Sequence, residues 1–504
     1  MSSPPRSPPS LAEIAAALGR FGAEVTGPPG AGATRVQDVR QDSREVGPGD
    51  LFAARPGSAT SGVAFVGDAV ARGAAAVMIE RGAAPGDLGV PLLCVDSVQA
   101  ALGFAAEVVH GCPSRALAGV AITGTNGKTT TAWLVEHAVR GAGGRAARLG
   151  TLGFALDGAV QDSPLTTPEP DAVSRFLARA RDDGATHFVM EASSHALAQR
   201  RVDALTFAVA AFSNLTQDHL DFHRTMSEYA AAKERLFVEL LPAASAVNVD
   251  DDFGRELAAR APGRVLRVSR RAGADVFPER HVADAAGTRA RVVLPSGPVE
   301  LASPLVGAHN LDNLLLALAI VEGLGLPVDR AARALADAPP VPGRLERCDG
   351  ADDDVVVLVD YAHTPDALER ALAAVRPLTR GDLRCVFGCG GDRDPTKRPR
   401  MGDAVGRGAT WALITNDNPR TEDPQRIADA IEPGLRAHGI PYEVVLDRAQ
   451  AIERAVLGAA PGDVVLVAGK GHEPYQIFGT VKRPFDDRDQ ARRALARRRE
   501  QGRR

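Results

Sequence analysis

The stretch Ala118-Gly-Val-Ala-Ile-Thr-Gly-Thr-Asn-Gly-Lys-Thr-Thr-Thr131 constrains this chain more than any other. An apolar run leads into Gly124-Thr125-Asn126-Gly127-Lys128-Thr129-Thr130, and a helix-like segment follows to near Gly141. Strand, glycine loop, lysine, hydroxyl and helix make a cradle for a nucleoside triphosphate. Glycines let backbone N–H groups point at phosphate oxygens, and the helix N-terminus adds a favourable dipole. Lys128 is placed to neutralise the outer phosphates, and the Thr129 hydroxyl to sit on Mg²⁺. The general motif has a further glycine where this chain has Ile122, so the loop is a shortened G-x-x-G-K-T variant. The competing reading is a Gly/Thr turn that happens to contain a lysine.

A chain of 504 residues is too long for one core, and two to four domains are expected. Apolar residues at 45% and charged residues at 24% fit an ordinary globular protein. No run approaches the roughly 18 apolar residues that span a membrane. The start, Met-Ser-Ser-Pro-Pro-Arg-Ser-Pro-Pro, lacks an apolar signal core and reads as a disordered lead. Ser10-Leu-Ala-Glu13 then supplies a capping box for the first helix. Five scattered cysteines (94, 112, 348, 385, 389) support neither a zinc ribbon nor a redox pair and suit a reducing cytoplasm. A net charge of −4 and only 4% aromatic residues argue against a nucleic-acid partner. The arginine-rich segment after Ala491 reads as a solvated helix.

Three blocks follow from the pattern: 1–112, 113–340 and 341–504. The first mixes short strands (51–54, 75–79, 91–95) with alanine-rich helices. The second carries strand-like runs at 118–123, 186–191 and 207–214. The third has them at 355–360, 383–388, 411–415 and 464–468. Short β-branched runs alternating with helix-length segments predict parallel βαβ sheets in the second and third blocks. Ligands gather at the carboxyl ends of such strands. Those ends carry Glu191, Asn214, Asp360, Asp392 and Asn416, so the chemistry is expected in a cleft between two α/β domains.

Glu191-Ala-Ser193-Ser194-His195 brings a carboxylate near the phosphate loop as a plausible Mg²⁺ ligand, with a solvated glutamate as the alternative. His219 and His223 are spaced as a zinc pair could be, yet no Glu follows His219 as a metalloprotease helix requires. Lys233, taken alone, reads as a lysine on a helix surface. Asp360 suits ribose or metal contact, or an ordinary turn into a helix. In Gly388-Cys-Gly390-Gly391-Asp392-Arg393 the third glycine of a dinucleotide fingerprint falls on Arg393, which disfavours NAD. The turn instead delivers Arg393, which can pair bidentately with a carboxylate or phosphate. Asp417-Asn418-Pro419-Arg420 and Gly469-Lys470-Gly471-His472-Glu473 also follow apolar strands. Arg393, Arg420 and Glu473 then offer two cations and one anion, which suits a zwitterionic ligand. A regulatory P-loop switch protein is the non-enzymatic alternative. It requires N-K-x-D and D-x-x-G motifs, and neither stands in convincing context.

Taken together, these motifs resemble the Mur ligase family over nearly the whole chain. The resemblance is carried by 124–130, Thr166-Thr167-Pro168, 191–195, Asn214 to Asp221, Tyr229 to Lys233, Gly307 to Asn313, Gly343-Arg344-Leu-Glu346 and Asp360 to Pro365. It implies an α/β fold of three domains: a small N-terminal α/β domain, a central P-loop ATPase domain and a C-terminal Rossmann-like domain. Asp417-Asn418-Pro419-Arg420 resembles the amino-acid selection motif of the branch that uses meso-2,6-diaminopimelate. The implied activity is ATP-dependent amide formation between that amine and UDP-N-acetylmuramoyl-L-alanyl-D-glutamate in peptidoglycan synthesis. A lysine-adding or other Mur-type ligase is the near alternative, and the third-block motifs argue against a folylpolyglutamate-type synthetase.

The resemblance also implies roles. Lys128, Glu191, His219 and Lys233 would be catalytic. Residues 124–130 with His309, Asn313, Arg344 and Asp360 would bind ATP. Thr129, Glu191, His219 and Lys233 would surround Mg²⁺, Lys233 as the carbamylated lysine of the family. Ser43, Thr166, Thr167, Ser193, Gln199 and Arg201 would bind the muramyl dipeptide nucleotide. Arg393, Asp417, Asn418, Pro419, Arg420, Gly469 and Glu473 would hold diaminopimelate. A monomer without a membrane span is expected. The loop Ser58-Ala-Thr-Ser-Gly62 departs from the family pattern and takes no role from it.

Overall fold

Val120, Ala121 and Ile122 are fully buried on a strand, Ala118–Thr123, in the middle of an eight-stranded sheet. A strand covered on both faces must be apolar throughout, as this one is. Its parallel neighbours are Val209–Phe212 on one side and His187–Glu191 on the other. Across the sheet the order is Arg264–Val268, Ala244–Asn248, Val209–Phe212, Ala118–Thr123, His187–Glu191, Ala146–Gly150, Gly153–Leu156, Ala159–Gln161. The chain leaves the central strand toward one side and later returns on the other, so a topological switch lies at its carboxyl end. The phosphate loop occupies that switch. Glu191 and Asn214 flank it because their strands flank Ala118–Thr123.

The computed structural model describes residues 7–502 apart from 58–60, 84, 85, 87, 285 and 286. Most of the loop Ser58–Gly62 and of the N-terminal lead therefore lies outside the described residues. The N-terminal segment forms a five-stranded sheet in the order Glu24–Thr26, Leu92–Val95, Ala76–Glu80, Leu51–Ala53, Val39–Arg40. The capping box is present: the Ser10 N–H donates to Glu13 Oε2 at 2.6 Å, and the Glu13 N–H to Ser10 Oγ at 3.2 Å. The C-terminal segment has a six-stranded sheet ordered Glu346–Arg347, Val356–Asp360, Val464–Ala468, Leu383–Phe387, Trp411–Ile414, Tyr442–Val444. Its last five strands run parallel, so their carboxyl ends share one edge.

Two features depart from the sequence reading. The sheets are not wholly parallel: Gly153–Leu156 and Ala159–Gln161 add antiparallel edges, and Phe277–Asp284, Gly287–Val293 and Val299–Ser303 form a separate antiparallel sheet. Parallel neighbours need a crossover of about a dozen residues, which these links lack. Asp157-Gly158, both at positive φ (51° and 85°), is a two-residue hairpin signal that the βαβ pattern obscured. The arginine-rich helix Asp487–Gly502 is not simply solvated. Ala491, Ala494 and Leu495 pack into the C-terminal core, while Arg498 and Arg499 pair with Asp354 and Asp353. Small apolar residues at i, i+3 and i+4 give it a buried face that the arginines mask in composition. Among the described residues no helix is long and apolar enough to cross a membrane.

Candidate active site

Gly124 and Gly127 sit at φ +141° and +86°. A Cβ on Gly124 would lie 1.9 Å from Ser213 Oγ, and one on Gly127 2.4 Å from Asn313 Oδ1, so both positions require glycine. The Lys128 ammonium donates to the carbonyls of Gly124 and Thr125, each at 2.9 Å, folding back over its own loop. Burial lowers its pKa, against the pull of Glu191 and Asp218. Thr129 Oγ1 donates to Glu191 Oε2 at 2.8 Å, and the Thr151 N–H fixes the other Glu191 oxygen at 2.7 Å. Glu191 is therefore buried and aimed at the loop rather than solvated.

A cleft of about 250 Å³ opens above the loop. Its walls include Thr125 to Thr130, Thr166, Glu191, His219, His309, Asn313, Arg344 and Asp360, so the structure gathers the expected ATP residues from two sheets. Gly124 is not part of that lining; its carbonyl accepts from Lys128 and Lys233. His309 and Asn313 also line a smaller recess beside Asn248, Asp312 and Leu316. The C-terminal lobe reaches across the cleft: Arg344 Nη2 donates to Thr129 Oγ1 at 3.2 Å, and Asn126 Nδ2 to Asp366 Oδ2 at 2.8 Å. Arg344 stacks on Tyr361 at 4.5 Å. Asp360 accepts from the Leu345 and Ala362 N–H groups at 2.7 and 2.8 Å. Its carboxylate thus orders the turn that delivers Arg344. That role was not legible from its strand-end position.

Residues expected around Mg²⁺ are brought close in part. Thr129, Glu191 and His219 share the cleft. Burial pushes His219 down to about 4, leaving a neutral imidazole able to ligate. Hydroxyl, carboxylate and imidazole fit a cation that keeps waters and binds substrate phosphates. Among the described residues no group of three or more His, Cys, Asp or Glu side chains converges on one point. The rings of His219 and His223 also join an aromatic cluster: the His195 ring is 4.8 Å from that of His219, 5.5 Å from His223 and 4.3 Å from Phe222. Lys233 reaches the loop from behind, donating to the Gly124 carbonyl at 2.8 Å. It is 1% exposed, so the surface-lysine reading fails. The helix Met226–Val238 packs that face inward, with Tyr229, Ala232, Leu236 and Phe237 buried beside it.

A third group lies behind the cleft. Thr167 Oγ1 donates to the Glu191 carbonyl at 2.8 Å and accepts from the Ser193 N–H at 2.9 Å. Arg201 donates to the Thr167 carbonyl at 2.9 Å and to Gln199 Oε1 at 2.6 Å. Thr166 Oγ1 lies 3.2 Å from Thr151 Oγ1. Arg55 ties the N-terminal lobe to this group through Glu169 at 2.9 Å. Ser43 is buried at the first residue of a short turn, Ser43–Glu45, and is not part of that contact.

A larger cavity of about 710 Å³ holds Arg393, Asp417, Asn418, Arg420, Gly469 and Glu473. Pro419 is buried and is not part of its lining, although it stands in the same motif. Lys470, which the motif displayed but chemistry alone left unassigned, is fully buried and donates to Asn418 Oδ1 and Glu473 Oε2, each at 3.1 Å. The two cavities share a wall of Asp218, His219, Tyr361, His363 and Thr364. Of these, Tyr361 and His363 had no sequence signal beyond their place in the Asp360 turn.

Burial holds His309 and His472 neutral, at about 4 and about 3, with Arg370 and Arg344 adding to it respectively. The unfolded chain takes up these protons near 6.5 and the folded one only below 4, so their stabilisation is complete above 6.5. It falls by about 1.4 kcal/mol per pH unit per imidazole as the pH drops below that. Thermal unfolding is expected to show a lower Tm at pH 5 than at pH 7, with a smaller drop in a His309→Gln variant. An equal drop in the variant would show that His309 is not a source of it.

Comparisons with known proteins place this geometry. Residues 35–107 match the family "Mur ligase family, catalytic domain", residues 122–321 the "Mur ligase middle domain", and residues 343–471 "Mur ligase, glutamate ligase domain". A relative from Gloeobacter violaceus, named UDP-N-acetylmuramoyl-L-alanyl-D-glutamate–2,6-diaminopimelate ligase, is 46% identical over 468 residues, covering 93% of this chain and 95% of its own. A Pseudomonas aeruginosa protein of the same name is 44% identical over 468 residues, covering 92% and 95%. A solved structure of a ligase with that name superposes with a TM-score of 0.67 at 32% identity, covering 97% of this chain and 99% of its own. The MurF ligase of Thermotoga maritima in complex with ADP shares the fold, with a TM-score of 0.64 at 18% identity over 93% and 99% of the two chains. The chain belongs to the Mur ligase family.

Proposed function

We propose that this protein joins meso-2,6-diaminopimelate to the D-glutamyl carboxylate of UDP-N-acetylmuramoyl-L-alanyl-D-glutamate at the cost of ATP, a step of peptidoglycan synthesis that runs in the cytoplasm. The observation that carries the reading is the shared wall between the cavities, through which an acid activated in one can meet an amine held in the other. The names of the similar proteins support the choice of substrates. On this reading the division of labour follows the three blocks: the uridine nucleotide on 1–112, ATP on 113–340 and the amino acid on 341–504. The protein acts as a monomer.

A carboxylate resists attack because of its charge and resonance. Its oxygen takes the γ-phosphoryl group of ATP, ADP leaves, and the resulting acyl phosphate is an acyl donor. Phosphoryl transfer needs positioning and charge neutralisation more than covalent help. Lys128 leaves its loop carbonyls for the phosphates, the helix Lys128–Gly141 presents its N-terminal N–H groups, and Arg344 adds a cation from the opposite lobe. Mg²⁺, held by Thr129, Glu191 and His219, would neutralise phosphate charge. Lys233 as a carbamate would replace a cation by an oxygen ligand for a second ion. Asp417, Arg420 and Glu473 orient the amino acid so that its neutral amine attacks the acyl carbon. A tetrahedral intermediate then collapses and phosphate leaves. The contacts from Arg344 and Asp366 close the lobes and keep water from the acyl phosphate.

Phosphate release should require the muramyl dipeptide nucleotide, ATP and diaminopimelate together, with lysine and other amino acids giving little. Release that is equally strong with lysine would replace this substrate assignment by the lysine-adding one.

A further inference from the structure

We propose that Arg448, locked to Asp487, is the positioning residue that holds the two recognition loops of the amino-acid cavity at a fixed spacing, and through them sets affinity and selectivity for the diamino diacid. The proposal rests on the functional reading above. Arg448 opens the helix Arg448–Leu457, Asp487 opens the helix Asp487–Gly502, and both side chains are fully buried. The pairing is bidentate: Nε reaches Oδ1 at 2.7 Å and Nη2 reaches Oδ2 at 2.6 Å. The guanidinium also donates to the carbonyl of Asn416 from Nη1 at 3.2 Å and to that of Ala468 from Nη2 at 2.9 Å.

Those two carbonyls immediately precede Asp417 and Gly469, residues of the cavity wall. Their strands, Trp411–Ile414 and Val464–Ala468, are not neighbours, because Leu383–Phe387 lies between them. No ladder bond can tie the loops together across that gap of about 9–10 Å. The loops nonetheless meet: a Cβ on Gly469 would lie 2.6 Å from Asp417 Oδ2. The buried guanidinium therefore ties the backbone of the two loops at their base, below the side-chain contacts that Asn418 makes with Lys470 and Glu473. Gln476 steadies the same loop, donating to the Asp417 carbonyl at 3.0 Å.

Two general facts turn this contact into a function. A buried ion pair is a weak source of stability, and apolar replacements of similar volume are often neutral. Loops that bind a ligand, by contrast, lose much of their affinity when the supporting shell lets them drift by about 1 Å. Lysine cannot replace the arginine, since a point donor lacks the planar fork that serves a carboxylate and two carbonyls together. Arg448 and Asp487 touch no residue of the phosphate loop in these contacts, so the effect is confined to one substrate.

The test compares the parent with Arg448→Lys and with the double variant Arg448→Met/Asp487→Leu. Both are expected to melt cooperatively near the parent Tm. The KM for diaminopimelate should rise about tenfold or more, the loss expected from one or two charge-assisted hydrogen bonds, with the KM for ATP within about twofold of the parent. Hydrogen exchange without ligand should speed up at 416–420 and 469–473 and stay unchanged at 124–130. Unchanged exchange in both recognition loops overturns the proposal, as does a parallel rise in both KM values. Failure of both variants to fold also overturns it, because the pair would then be a stability element. If the parent uses no diamino diacid, the functional reading fails, and loop exchange still decides the role of Arg448.

Discussion

Lys233→Ala is expected to lower ligase turnover on the order of 100- to 1000-fold, with part of the activity restored by added formate or acetate. Lys233 Nζ is buried, donates to the Gly124 carbonyl at 2.8 Å and lies 4.3 Å above the Tyr229 ring. The Lys128 ammonium donates to the same carbonyl at 2.9 Å. Two ammonium ions on one carbonyl in a buried site repel, and burial with this neighbour holds the Lys233 pKa well below its ordinary value. A neutral amine can attack CO₂: an N–C bond forms, a proton is lost and a carbamate results. On the proposed reading the amine beside Lys128 would become an anion, which would turn repulsion into attraction and would supply oxygen ligands facing the phosphate loop. A small carboxylate diffusing into the space left by the shortened side chain offers the same oxygens. Full activity of the alanine variant without added acid would remove Lys233 from the reaction. Loss of activity with a collapsed Tm would make its role structural.

The parts of this molecule that were legible in the sequence are those whose chemistry is local in the chain. The phosphate loop states its own geometry, because Gly124 and Gly127 take conformations and close approaches that only glycine allows. Glu191 and Asn214 were placed beside it by a strand-end argument, and the sheet order shows why that works: their strands are the two neighbours of Ala118–Thr123. Local pattern failed where burial is decided by packing from far away. Lys233 looks like a surface lysine because the helix Met226–Val238 carries charge on both sides of it, and the face it presents is set by docking on the loop. Asp360 lines the cleft as its strand-end position suggests, but its carboxylate also holds two backbone N–H groups of the surrounding turns, a task set by tertiary packing that the local pattern did not display. Arg448 gave no signal at all, since its partner lies 39 residues on and its carbonyl acceptors lie at or just past the ends of two other strands.

Arg420→Ala is expected to raise the KM for diaminopimelate about a hundredfold, the loss of one charge-assisted contact, while ATP saturation stays nearly unchanged. Arg420 sits at φ +53°, a left-handed conformation that only a well-fixed backbone maintains. Its N–H donates to the Ile477 carbonyl at 3.1 Å, and its own carbonyl accepts from Gly479 at 2.6 Å, so the hairpin Tyr475–Phe478 and Val481–Pro484 pins it. One guanidinium N–H is held by the Gly391 carbonyl at 2.6 Å, which aims the planar fork into the cavity. A distal carboxylate can satisfy that fork, and lysine has none to offer. Binding lysine would leave a desolvated cation without its partner, and sites of this kind reject the deficient analogue by roughly 10³–10⁵-fold. The alanine variant removes the penalty as well as the attraction. Its preference for diaminopimelate over lysine should therefore shrink by at least the roughly hundredfold factor lost on the favoured substrate. Saturation curves for both amino acids and for ATP measure this directly. Unchanged amino-acid saturation would show that the carboxylate is read by another group in the cavity, Arg393 being the other arginine of the recognition set.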